Sequence, residues 1–386
     1  MNKLVVDKRV EEKLARGIKL LDKDDIKDSS EDELLSVYAK SGKHLGTAYL
    51  SYQNKGRGWY LGPGHVTLDK SYFVAIFQKA RQKRSAYEHD SSTSAYRLFN
   101  QDGDDFGGLS IDRYNDYALF SWYNSFVYAK RDVIIRAFQE VYPDIVGAYE
   151  KIRFKGLDYE SAHVYGQEAR ESFLIRENGV LYDVFLNDGL MTGIFLDQHE
   201  VRASLVDGLA ANKRLLNMFS YTAAFSVAAA MGGAKETTSV DLAKRSRHLS
   251  QAHFQANAIP LENHHFIVMD VFDYFKYAKK KDLVFDIIVL DPPSFARNKK
   301  RVFSVAKDYH KLISDALDLL SEDGMIIAST NAANVSQKQF QKQLEKGFGD
   351  VEHSYVDVKT LPFDFAVNQA DSQSQYLKVF TVKVKK

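Results

Sequence analysis

Cysteine is absent from this chain of 386 residues. That excludes disulfides, thiolate-ligated zinc, iron–sulfur clusters and every mechanism with a cysteine nucleophile. Long hydrophobic runs are also missing. No window approaches the ~20 consecutive apolar residues of a membrane span, and the charged N-terminus lacks the apolar core of a signal peptide. Nor is there an excess of charge: 52 lysines and arginines stand against 51 aspartates and glutamates, for a net charge of +1. A nucleic-acid partner would have to meet positive charge clustered on one face, because the total supplies no surplus. The 11 histidines include the adjacent His264 and His265 but no His-Glu-x-x-His spacing, so no metal site is expected. Apolar residues at 45% and charged residues at 27% are ordinary for a globular protein. The expectation is a cytoplasmic protein of two or three domains, with no membrane and no metal, and compatible with a homodimer.

What is present falls into three zones. Residues 1–75 combine a charged helical start with short strand-like runs such as Gly46 to Tyr52, and turn signals at Gly56 and Gly62-Pro63-Gly64. They predict a small β-rich domain. Residues 76–185 hold a basic helix (Lys79, Arg81, Lys83, Arg84), strand-like alternation from Gly108 to Tyr123, a helix near Arg131–Val141 and a hairpin near Leu174–Phe185. They predict an α+β middle domain. In residues 186–386, apolar β-rich runs at Arg214–Phe219, Thr237–Leu242, Phe266–Asp270, Phe285–Asp291 and Met325–Thr330 alternate with helical patterns. Continuously apolar strands joined by helices predict an α/β, doubly wound parallel sheet covered on both faces. The last pair, His353–Val358 and Tyr376–Val384, alternates apolar and polar with no helix between, and predicts an antiparallel edge hairpin. Such a sheet binds its ligand beyond the carboxyl ends of its strands.

The residues at those strand ends carry the chemistry. After the first strand, Ser220, Thr222, Ala223 and Ala224 allow a ligand to approach the backbone and a helix N-terminus. Bulky Phe219 and Tyr221 stand where a dinucleotide fingerprint would place glycines, which argues against a nicotinamide-dependent dehydrogenase. The segment equally fits a plain tight turn. Asp241 ends the second strand about 20 residues further on, the offset of a ribose-binding acid. Asp270 ends the third, beside apolar Val271 and Phe272, and suits the amine and flat face of adenine. Either aspartate is also a natural helix N-cap. The fourth strand delivers Asp291-Pro292-Pro293-Ser294-Phe295. Its two prolines remove N–H donors and leave the preceding carbonyls to accept hydrogen bonds from a base, on which Phe295 can stack. Arg297, Lys299, Lys300 and Arg301 follow, either as contacts to phosphates flanking an extruded nucleotide or as solvated surface.

In this order the motifs resemble a class I S-adenosylmethionine-dependent methyltransferase with its Rossmann-like sheet. Thr192-Gly193-Ile194-Phe195-Leu196-Asp197-Gln198 and Asn217-Met218-Phe219-Ser220-Tyr221-Thr222 are similar to motifs of the bacterial large-subunit ribosomal RNA methyltransferases that carry an N-terminal PUA domain. Ser94 to Leu98 and Gly107 to Arg113 resemble their middle domain. The resemblance implies a PUA-like RNA-binding domain over 1–75, a middle domain over 76–185 and a methyltransferase domain over 186–386. It also implies S-adenosylmethionine as cofactor, with S-adenosylhomocysteine as product, and large-subunit ribosomal RNA or its assembly particle as partner. Phe195 and Gln198 would line the cofactor entrance, and Asn217 with Phe219 to Ala224 would surround the methionine portion. Asp241 and Leu242 would hold the ribose, Asp270 and Val271 the adenine, and Asp291, Pro292 and Pro293 the target base.

The best-known branch of that family methylates carbon 5 of cytosine through a cysteine in a Ser-Cys-Ser segment after the fifth strand. Here the segment is Ser329-Thr330-Asn331-Ala332, with Asn331 at the cysteine position. Carbon 5 becomes nucleophilic only when a thiolate adds at carbon 6. A ring nitrogen such as guanine N7 already has an in-plane lone pair and needs only alignment. A branch that resembles guanine position-7 methyltransferases has Ser-Asn-Asn at this point. The expectation is methyl transfer to a ring nitrogen, with Asn331 bonding the base edge or forming a plain Asx turn. The alternative is a catalytically silent RNA-binding or ribosome-assembly factor that keeps the cofactor pocket.

Overall fold

The computed structural model describes residues 1–26, 31–53, 56–297 and 302–386, with the backbone alone for Arg297. Two compact units are present. The first comprises residues 1–173, 185–192 and 363–374, and the second 174–184, 193–362 and 375–386.

The first unit holds two five-stranded sheets. One orders its strands Asn2–Val6, Glu33–Ala39, His44–Gln53, Gly56–Gly62 and Leu20–Leu21. Alternation in these short strands sends Leu4, Val6, Leu35, Val37, Ala48 and Leu50 into one small core. The second sheet orders Ser161–Gly166, Gly147–Ile152, Tyr117–Trp122, Leu109–Tyr114 and Ala95–Asn100. Helix Lys70–Lys83 presents Phe73, Ile76, Phe77 and Ala80, spaced as one helical stripe, and helix Arg131–Val141 presents Ile134, Ala137, Phe138 and Val141. These stripes close over Phe99, Phe120 and Trp122 of the sheet. The helix expected at Arg131–Val141 occupies that range.

The second unit is built on a seven-stranded sheet: β1 (Arg214–Met218), β2 (Glu236–Asp241), β3 (His264–Val268), β4 (Phe285–Leu290), β5 (Leu320–Thr330), β6 (Glu352–Lys359) and β7 (Lys378–Lys385). Their spatial order is β3-β2-β1-β4-β5-β7-β6. The first five are parallel, and β7 runs antiparallel to both β5 and β6. The connecting helices are α1 (Ala224–Met231), α2 (Lys244–Ala256), α3 (Val271–Lys280), α4 (Val305–Leu317) and α5 (Gln337–Phe348). Leu216, Met218, Val240, Ile288, Leu290, Ile326 and Ala328 are buried, and the central strands carry unbroken apolar runs, Ile287–Leu290 in β4 and Met325–Ala328 in β5. The order reverses between β1 and β4, and the carboxyl ends of these two strands open the crevice where such sheets bind ligands.

Two local features depart from the sequence reading. β3 ends at Val268, so Asp270 lies beyond it and caps α3 by accepting from the N–H groups of Phe272 and Asp273. An aspartate before a helix satisfies donors that a continued strand would leave to chance, which shortens the strand. A two-stranded ribbon, Phe295–Arg297 with Val302–Ser304, follows the Asp-Pro-Pro-Ser segment, where no strands were expected. The positions of Lys299, Lys300 and Arg301, and the side chain of Arg297, lie outside the described residues.

Candidate active site

Between β1 and α1 the chain makes an unusual turn. Phe219, Tyr221 and Ala223 all take left-handed backbone conformations, with φ of 58°, 49° and 60°. Each costs an L-residue roughly 1–2 kcal/mol, so neighbouring bonds must hold them. The Ser220 N–H donates to the Val240 carbonyl at 3.0 Å, and the Tyr221 N–H to Asp241 Oδ2 at 2.9 Å. Thr222 Oγ1 donates to the Gly193 carbonyl at 2.6 Å, while the Gly193 N–H donates to the Tyr221 hydroxyl at 3.1 Å. Ser246 Oγ donates to the Tyr221 carbonyl. The turn thus achieves with large side chains the conformations that glycine-rich loops reach through glycine.

Asp241 does two jobs at the end of β2. One oxygen holds the turn through Tyr221, and Oδ1 accepts from the Ala243 N–H at 2.8 Å. A carboxylate offers about four lone-pair sites, so capacity for a ligand donor remains. Leu242 beside it is 59% exposed and Phe195 is 50% exposed, both large apolar groups at the rim. Phe195 meets Tyr221 at 5.5 Å between ring centroids. Phe219 packs edge-on to Phe272 at 6.4 Å, and Val271 is buried below. Asn217 is fully buried: its Nδ2 donates to Ser226 Oγ at 3.1 Å, and its Oδ1 has no hydrogen-bond partner.

Beyond β4, Asp291 is bound by Gln198, whose Nε2 donates to Oδ2 at 2.8 Å. Ser329, the penultimate residue of β5, donates in turn to Gln198 Oε1 at 3.3 Å. Desolvation pushes the Asp291 carboxyl up to about 6. The Asp197 charge adds to that rise, and the bonds from Ser329 and Gln198 oppose it. Pro292 is buried, whereas Pro293 and Phe295 are exposed. One residue further back than the carbonyls that precede the prolines, the Leu290 carbonyl accepts from the buried Tyr309 hydroxyl at 2.8 Å. Helix α4 brings this donor under the strand. Asn331, at the end of β5, accepts from Ser294 Oγ at 2.7 Å and is otherwise exposed. Its side chain therefore ties the β5 end to the Asp-Pro-Pro-Ser segment.

Within the second unit, the fold gathers Phe195, Gln198, the Asn217–Ala224 turn, Asp241, Asp270, Asp291 and Asn331 at the carboxyl edge of one sheet. A family model described as S-adenosylmethionine-dependent methyltransferase matches residues 153–353, just over half of the chain. The chain belongs to this methyltransferase family. A PUA-like domain model also matches residues 4–62. A solved structure of a candidate methyltransferase complexed with SAH is 61% identical, with a TM-score of 0.96 and 100% of both chains covered. The chain is 41% identical, over 100% of both sequences, to a Bacillus subtilis protein named as a candidate ribosomal RNA large subunit methyltransferase, YwbD. It is 29% identical to ribosomal RNA large subunit methyltransferase I of Aeromonas salmonicida, covering 92% of this chain and 91% of that one. The enzyme uses S-adenosylmethionine.

Several residues of this methyltransferase were not singled out from sequence. Ser329 and Asp197 stand inside motifs quoted from the sequence but were given no role there, and membership of those motifs was the available signal. Buried His253 places its ring nitrogens 2.9 Å from the Thr222 carbonyl and 3.0 Å from that of Asp183. Arg202 holds the Phe195 carbonyl at 2.7 Å while paired with buried Glu177. Nothing local in the sequence marks these two. Among the described residues, no group of three or more histidines and carboxylates is placed to hold a metal ion, and no helix is long and apolar enough to cross a membrane.

Proposed function

We propose that this methyltransferase acts in the cytoplasm on large-subunit ribosomal RNA, free or in an assembling particle, and transfers the methyl group to a ring nitrogen, guanine N7 rather than cytosine C5. The relatives' names support the RNA class. The observation that carries the choice of atom is the complete absence of cysteine from the sequence, with Asn331 at the end of β5 tied to Ser294. Without a thiolate, carbon 5 of cytosine has no route to nucleophilic character.

The residues present fit S-adenosylmethionine. Asn217 Oδ1, buried without a partner, is an acceptor suited to an ammonium donor. Asp241 suits ribose hydroxyls, and Asp270 with Val271 the adenine. Phe195, Gln198, Phe219, Ser220, Tyr221, Thr222, Ala224 and Leu242 would complete the wall. The bound cofactor supplies an electrophilic methyl group on a sulfonium. What the chain contributes is alignment. The carbonyls of Asp291 and Pro292 and the Asp291 carboxyl would accept from base N–H groups, Pro293 would keep that segment rigid, and Asn331 would contact the base edge. Phe295 would stack on the base, and Arg297, Lys299, Lys300 and Arg301 would hold flanking phosphates. Residues 1–75 would add an RNA-binding domain to the middle domain at 76–185 and the catalytic domain at 186–386.

The test is transfer of labelled methyl from S-adenosylmethionine to ribosomal RNA by purified protein. Label on a guanine, released as a depurinated or ring-opened product, is expected. RNA containing 5-fluorocytosine should form no denaturation-resistant complex. Recovery of 5-methylcytosine would overturn the reading.

A further inference from the structure

A buried cation stands beside this site without a role in the steps above. Lys378 opens β7 opposite Thr330 of β5 and is 4% exposed. Its Nζ donates to the Ala332 carbonyl at 2.9 Å and to the Tyr376 carbonyl at 3.0 Å. Among the described residues it makes no ion pair, and desolvation lowers its pKa to about 8. An ammonium taken out of water with two neutral acceptors is costly to keep, so a hydrophobic residue would serve the core better. Its placement calls for another reason.

Ala332 is the residue after Asn331. Its N–H donates to Thr330 Oγ1 at 3.2 Å, and its carbonyl accepts from the Val335 N–H at 3.1 Å as well as from Lys378. The other acceptor of Lys378 belongs to Tyr376, whose hydroxyl donates to Asp197 Oδ2 at 2.9 Å, next to Gln198. One ammonium therefore joins the turn that carries Asn331 to the segment just before β7 that steadies Asp197 through Tyr376. Ser294 holds the same turn from the other side through the Asn331 side chain.

We propose that Lys378 is a positioning residue that sets the backbone of the 331–335 turn and thereby aims the Asn331 amide at the target base. The inference rests on the reading of Asn331 as base-facing, but its first consequence is independent of activity. In Lys378→Met, amide hydrogen exchange over residues 330–336 should quicken at least tenfold, while exchange over β3 stays unchanged. Unchanged exchange in the turn would overturn the proposal whatever the enzyme does. In the second arm, single-turnover methyl transfer to ribosomal RNA should fall at least tenfold, with the dissociation constant for S-adenosylmethionine within twofold of wild type. Lys378→Arg should restore part of the rate. A rate that holds, or cofactor affinity that falls in step with it, would refute positioning. If Lys378→Met does not fold, Lys378→Gln, which retains a donor, carries the same two comparisons. Wild-type protein that methylates no ribosomal RNA would sink the functional reading instead, and the exchange arm would still decide the clamp.

Discussion

Gln198 and Asp291, far apart in sequence, meet at 2.8 Å at the end of β4, with Gln198 donating and Asp291 accepting. The amide is itself fixed by Ser329, so the carboxyl presents its remaining lone pairs in a set direction. Burial nevertheless dominates, and holds the carboxyl at about 6 against an ordinary 3.8.

That shift has a definite sign. Between roughly pH 4 and 6 the folded chain keeps a proton that the unfolded chain has lost. The associated stability is fully present below the unfolded value and is lost as pH rises through about 6, by about 3 kcal/mol. Urea unfolding of wild type and Asp291→Asn on either side of this window checks it. The variant should gain on wild type at the higher pH, and parallel pH curves would refute the shift.

Arg202 and Glu177 form a bidentate pair at 2.6 and 2.8 Å, both fully buried. Removing one partner leaves an uncompensated charge. Glu177→Ala should cost about 3–5 kcal/mol, whereas the double change Glu177→Leu with Arg202→Met should cost clearly less. Equal losses in both variants by denaturant unfolding would show that the pair is not acting as a unit.

Ala223 sits fully buried at φ 60° just before α1. A β-branched residue is strongly strained there. Ala223→Val should lose at least ~2 kcal/mol, while Ala223→Gly should unfold within about 1 kcal/mol of wild type, since the relieved strain offsets the lost methyl contacts. A valine variant as stable as the glycine variant would mean that the turn relaxes out of the left-handed region.

Asp270 combines a cap with the proposed adenine contact, and the two separate by substitution. Asp270→Ser keeps a capping oxygen and should leave stability within about 0.5 kcal/mol of wild type, yet weaken S-adenosylmethionine binding by ~1–3 kcal/mol. Asp241→Ala should lower both affinity and stability, because Tyr221 and Ala243 lose their acceptor. Titration calorimetry beside thermal unfolding tests both. Unchanged affinity in the two variants would remove the proposed orientation of the nucleoside.

Much of this protein was already present in its sequence. Unbroken apolar runs can be accommodated only by strands covered on both faces, so the parallel sheet and its carboxyl-edge crevice follow from local pattern. The Asp291-Pro292-Pro293 segment follows for the same reason, because it directly ends such a run, and Asp241 follows from its place at the end of a short threonine- and valine-rich strand pattern. The absence of cysteine closes a whole class of chemistry with no geometry at all. Tertiary structure alone decided the rest. Phe219 and Tyr221 have no intrinsic preference for left-handed backbone, and only bonds from β2, α2 and the Gly193 segment place them there. Gln198 reaches Asp291, Arg202 reaches Glu177, and Lys378 reaches the Ala332 carbonyl across separations that carry no periodic signal. Such contacts form when packed elements bring polar groups out of water together, where each must find a partner or bear a desolvation cost. A chain read one window at a time does not contain that information.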